Sequence, residues 1–186
     1  MTNKTARFAL AGVTLLGLMS VAPSAAGATK EEAESGIRAA YNGRTIQLSD
    51  GWDGAKVCAQ MAVDNVRCFD DDAAYRAAMN LPAADSRAIG TASVYDCPPA
   101  WMCLWDNRAY KGRRLQWRDP GSFDLSRYDF RNRANSVANR KVQGGFALKD
   151  VDPFLPKTLF VGAGSAVRDL GAEPGNWNNK VDQVKT

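Results

Sequence analysis

The sequence predicts an all-β, antiparallel sandwich over residues 95–186, preceded by a small α+β segment at 29–94. Three observations predict it. No segment after Cys97 carries a 3.6-residue apolar period of useful length. Short apolar alternations recur there between Gly, Pro and Asn turns, the mark of strands rather than helices. The same stretch also repeats itself at a nearly constant offset, so two copies of one small β unit are expected to pack against each other.

Residues 1–28 read as a secretory signal. Lys4 and Arg7 precede the 14-residue apolar run FALAGVTLLGLMSV, and Ala26-Gly27-Ala28 gives a small-x-small cleavage site. The run is short for a bilayer core, which needs about 20 apolar residues. A soluble, secreted, extracellular protein is therefore expected, without a membrane partner. The chain has no histidine. That excludes Ser-His-Asp and Cys-His catalytic sets and any imidazole zinc site. Asp106, Asp119, Asp124 and Asp129 read as turn and cap residues rather than a catalytic pair. The protein is not expected to be an enzyme.

Cys58, Cys68, Cys97 and Cys103 form an even set in an exported chain, which suggests disulfides. Sequence permits three pairings. Local proximity favours Cys58 with Cys68, across a hairpin formed by VCAQM and VRCF, and Cys97 with Cys103.

Within the leader segment, KEEAESGIRAAY at 30–41 suits a helix with acids in its first turn. RTIQL suits a short strand. Asp70, Asp71 and Asp72 precede AAYRAAM, and read as a helix N-cap rather than a calcium loop. LPAADSRAIGTASVYD at 81–96 reads as a linker or edge segment. Beyond it, CLWD, RLQW, SVANR, GGFAL, TLFVG and QVK read as strands.

The repeat aligns Leu104, Tyr110 and Leu115 with Leu148, Phe154 and Leu159 at an offset of 44. After a small gap, Leu125 meets Leu170 and FRNRANSV at 130–137 meets WNNKVDQV at 177–184. The two units are expected at about 102–141 and 145–186. Neither can bury its apolar face alone.

Trp105, Tyr110 and Gly112 in the first unit, with Ser136 closing it, resemble the Greek-key motif of βγ-crystallins. The resemblance implies aromatics packed over a folded hairpin, a glycine where a Cβ would obstruct, and a serine tying the hairpin down. It makes the fold a βγ-crystallin-like sandwich of two Greek keys. The Cys-Pro opening, CLWDN, WRDPG and FRNRANSV are similar to exported bacterial peptidase inhibitors of the Streptomyces metalloproteinase-inhibitor type. That resemblance covers about residues 95–186. The second unit departs from it, with Lys149 for Trp105, Pro156 for Gly112 and Gln183 for Ser136.

The resemblance implies inhibition of a secreted peptidase, such as an extracellular metalloprotease, by a monomer. It does not name the inhibitory loop; residues 97–101 are one candidate, but the preferred reading is that they simply begin the sandwich. Two other readings compete. A βγ-crystallin-type calcium site would draw on Asn132, Ser136, Asn178 and Asn179, but Arg131 and Arg133 oppose a dication there. No other cofactor is implied. An antimicrobial or cell-surface role would use the basic cluster of Arg108, Lys111, Arg113, Arg114, Arg118, Arg127, Arg131 and Arg133. Residues 101–141 carry 10 basic and 4 acidic groups. Export argues against nucleic acid as a partner.

Overall fold

The computed structural model describes residues 36–82, 92–152 and 154–186. The expected signal at 1–28 and much of the linker at 81–96 lie outside the described residues. The described chain is mostly β-sheet with one helix. None of its helices is long and apolar enough to cross a membrane.

Of the helix expected at 30–41, residues 30–35 lie outside the described residues, and the first strand corrects the rest. Arg38–Tyr41 is strand β1, paired with β2 (Arg44–Gln47) so that Tyr41 faces Arg44. Its sequence alternates: Ala39 and Tyr41 are buried, Arg38 and Ala40 exposed. Asn42 and Gly43 both take positive φ, 47° and 76°. They form the two-residue turn that right-twisted hairpins favour.

β3 (Val57–Ala62) and β4 (Asn65–Phe69) form the expected second hairpin, with Cys58 opposite Cys68 and the two joined by a disulfide. Helix α1 (Asp72–Ala78) follows. The Asp71 carboxylate accepts the Ala74 N–H at 2.8 Å and so caps the helix.

The stretches 102–141 and 145–186, expected to be two units, supply eight strands. The first gives β5 (Met102–Trp105), β6 (Arg114–Trp117), β7 (Ser122–Asp124) and β8 (Ser136–Asn139). The second gives β9 (Phe146–Asp150), β10 (Lys157–Val161), β11 (Ala166–Val167) and β12 (Gln183–Lys185). They exchange third strands. The larger sheet runs β11-β8-β5-β6-β3-β4-β1-β2, and the smaller runs β10-β9-β12-β7. β7 thus pairs with β12, and β11 with β8. β3 lies parallel to β6, Val57 opposite Arg114 through Gln60 opposite Trp117, so the leader strands extend the first repeat's sheet.

The larger sheet buries both faces. Along β5, Met102 and Leu104 enter the core between the sheets, while Cys103 and Trp105 enter a second apolar cluster beneath α1. The inter-sheet core holds the matched pairs of the repeat: Leu104 and Leu148, Leu125 and Leu170, Phe130 and Trp177, Val137 and Val184. One matched pair diverges. Tyr110 is half-buried, whereas Phe154 stands in solvent.

Candidate functional site

Residues 105–112 fold back over the sheet as a compact hairpin. Trp105 lies beneath it, and the Tyr110 ring meets Trp105 edge-on at 5.2 Å between centroids. Ala109 and Tyr110 both have left-handed φ, 57° and 62°. Gly112 follows at φ +80°, and a Cβ there would come within 1.9 Å of Asp106 Oδ1 and 2.6 Å of Asn107 Nδ2. No other residue fits without displacing both. Ser136 Oγ accepts the Tyr110 N–H at 3.0 Å and donates to the Asn107 carbonyl at 2.7 Å. The structure thus brings Trp105, Tyr110, Gly112 and Ser136 together in one clasp.

Arg113 fastens the far side of that hairpin. It donates to Asp106 at 3.0 Å and to Asp129 at 3.1 Å. Its guanidinium lies 4.7 Å over the Trp52 ring. A leader residue is therefore built into the clasp, a contact between positions too far apart in sequence for local pattern to reveal.

Among the described residues, the second hairpin, at 151–152 and 154–156, shows no such clasp. Its turn is set by the Asp152 carboxylate, which accepts the Phe154 and Leu155 N–H groups at 2.8 and 2.9 Å. Those two donors hold the Asp152 carboxyl below its ordinary range. Phe154 and Leu155 project into solvent, 87% and 70% exposed.

Residues 97–101 begin the sandwich. Cys97, Pro98 and Trp101 are buried, and Cys97 is bonded to Cys103. Ala100 N–H donates to the Arg140 carbonyl and Arg140 N–H to the Trp101 carbonyl, at 3.0 and 2.8 Å. Pro99 and Ala100 are left exposed.

The calcium candidates are only partly gathered. Asn132 and Asn179, both at positive φ, line an open polar recess with Asp106, Asn107 and Arg133. Ser136 is committed to the clasp. Asn179 Oδ1 accepts from Asn135 Nδ2 at 2.8 Å, and Asp106 is paired with Arg113. Asn178 is not among the recess residues. A hard dication needs six to eight free oxygens. Here the Asp106 carboxylate and Asn179 Oδ1 are taken by protein donors, and Arg133 lines the recess.

The basic cluster is largely paired. Arg108 meets Asp169, Arg118 meets Asp119, Arg131 meets Asp182 and Arg133 meets Asp129. Arg114 is buried beneath α1, where its Nη2 donates to Asp72 Oδ1 at 2.7 Å and its guanidinium lies 5.3 Å over the Tyr75 ring. Lys111 lines the shallow recess beside it. Charge from residues 101–141 is therefore met by acids of the same stretch (Asp106, Asp119, Asp129), of the leader (Asp72) and of residues 145–186 (Asp169, Asp182) rather than offered as one cationic face.

Asp96 belongs to this same buried layer and accepts the Ser93 N–H at 2.9 Å. Burial raises its carboxyl, against the lowering effect of that bond. A folded pKa above the unfolded one adds stability at acidic pH that is lost as pH rises through the folded value. Asp96→Asn keeps an acceptor for Ser93 and removes the charge. The variant should gain on the wild type as pH climbs from about 4 towards neutrality, in thermal unfolding midpoints at stepped pH. Identical pH slopes for the two proteins would refute this.

With that geometry in place, the comparisons give one clear result. Residues 90–144 match peptidase inhibitor family I36. The matched stretch takes in the Cys97 to Cys103 loop, the clasp and all of β5 to β8. The resemblance carried by CLWDN, WRDPG and FRNRANSV is borne out over that span. The family so described is one of inhibitors, not of enzymes. No curated protein matches the chain. Among solved structures, the N-terminal domain of protein S is similar at 20% identity, over 46% of this chain and 93% of that one, with a TM-score of 0.37.

Proposed function

We infer that the protein is a secreted inhibitor of an extracellular peptidase, with a metalloprotease as the first candidate target, acting as a monomer. The observation that carries this reading is the inhibitor-family match over residues 90–144. Two disulfides suit an oxidising, extracellular setting. The scaffold suits an inhibitor, because the first unit is fixed by a disulfide, a serine tie and a buried aromatic pair. A rigid surface binds with little ordering cost. The exchange of β7 and β11 between sheets supports reading residues 95–186 as two βγ-crystallin-type Greek keys, with residues 29–94 as a scaffold segment joined to the first.

Titration of the purified protein against thermolysin, subtilisin and papain tests the function. Stoichiometric loss of activity in one of them, thermolysin before the others, is expected. Full activity of all three at micromolar protein would overturn the inhibitor reading.

A further inference from the structure

The two units are built alike but end differently at their second strands. In the first, β6 is covered along its length by β3 of the leader. In the second, β10 holds the corresponding place and terminates its sheet; no described strand pairs with its outer side. Edge strands are normally blunted by charge, bulges or a covering segment. β10 is instead flanked by apolar side chains. Phe160 is 68% exposed, its ring resting over Gly145 where a Cβ would come within 2.1 Å. Phe154 and Leu155 stand in solvent on the turn of the same hairpin, which the Asp152 carboxylate fixes. Three exposed apolar side chains carried on one hairpin mark it as an interaction surface.

We propose that the outer edge of β10, with Phe160 and Leu155 beside it, is the surface that enters the peptidase cleft. It rests on the inhibitor reading and names the contact. An exposed sheet edge recognises an extended partner through main-chain hydrogen bonds, with alternate side chains filling pockets. A peptidase cleft built to pair with an extended substrate backbone, and having large apolar subsites, has that chemistry. β10 is also a poor substrate. Lys157 to Val161 are paired in full with Asp150 to Phe146 of β9, so the two ends of a cut strand would stay held in the sheet by those pairs and release of product would be slow. The counterpart edge at β6 is already occupied, and residues 97–101 are tied to Arg140. The free edge lies outside the matched residues 90–144, where sequence comparison gives no guidance.

Phe160→Lys and Leu155→Ser test it, since both side chains are exposed and neither change should alter the thermal midpoint. Against whichever of thermolysin, subtilisin and papain the wild type inhibits, each variant should raise the inhibition constant by about tenfold or more. Pro99→Ser should leave it unchanged. Amide exchange in β10 should slow in the complex. Wild-type inhibition that survives both edge substitutions would overturn this surface while leaving the inhibitor reading intact. So would inhibition lost in Pro99→Ser alone. If the wild type inhibits none of the three, the inhibitor reading falls, and this surface with it.

Discussion

A fragment beginning at residue 95 will not unfold as a cooperative unit of native stability. The leader supplies part of the core between the sheets: Ile37, Tyr41, Leu48, Trp52 and Val66 are buried there with residues of both repeats. Trp52 stacks on Phe130 at 5.6 Å and donates its indole N–H to the Tyr128 carbonyl at 2.7 Å. Tyr128 in turn donates its hydroxyl to Gln60 at 2.7 Å, and burial pushes that hydroxyl up to about 12. Burying one large apolar side chain is worth about 1.5–3 kcal/mol. Losing the five leader side chains removes about 7.5–15 kcal/mol, comparable to the ~5–15 kcal/mol that a whole domain holds. The fragment would also expose β6 as a further bare edge, an invitation to aggregate. Urea unfolding and gel filtration of 95–186 beside the full chain check this. A monomeric fragment with an unchanged midpoint would show the leader to be dispensable.

Asp72→Ala should be the most damaging single change beneath α1. Arg114 is 2% exposed, and burial pulls its pKa down while the Asp72 charge supports it. Removing Asp72 strands that guanidinium with Asp96 as its nearest acidic support. Leaving one partner of a buried pair without the other costs about 3–5 kcal/mol. Asp72 also binds Arg76 at 2.5 Å, and Arg76 donates to the Tyr95 carbonyl, so the segment after the linker loosens too. The neighbouring Asp71→Ala removes only a helix cap, worth about 1 kcal/mol. Chemical denaturation of the two variants side by side separates charge stranding from helix capping. Equal losses in both would mean that the buried pair contributes little.

Much of the sandwich was legible because its strands alternate and its repeat keeps order. Leu104, Leu125 and Val137 find their counterparts in the core as the offset implies. β7 and β11, of three and two residues, are too short to show a period. The leader was harder. Asn42-Gly43 is a strong hairpin signal, yet the acids and alanines before it look helical. That β3 lies beside β6 could not be read at all. Alternation tells which face a residue takes, not which distant strand lies next to it. Arg114 and Gln116 concealed the burial of β6 for a similar reason. They are polar, yet both sit beneath a helix that covers the sheet's second face. The clasp of Trp105, Tyr110, Gly112 and Ser136 was readable from its motif. Tyr110 and Phe154 differ in burial in keeping with the departure visible in the sequence, where Pro156 stands in place of the Gly112 that permits the fold-back.

The exchange of β7 and β11 has a mechanical consequence. Each repeat lends a strand to its twin, so prying them apart must rupture main-chain pairs in two sheets simultaneously. Among the described residues, these pairs leave no hinge between the two halves. Force applied at one end is shared by the other, and a partner gripping either half engages the whole body rather than a swinging lobe.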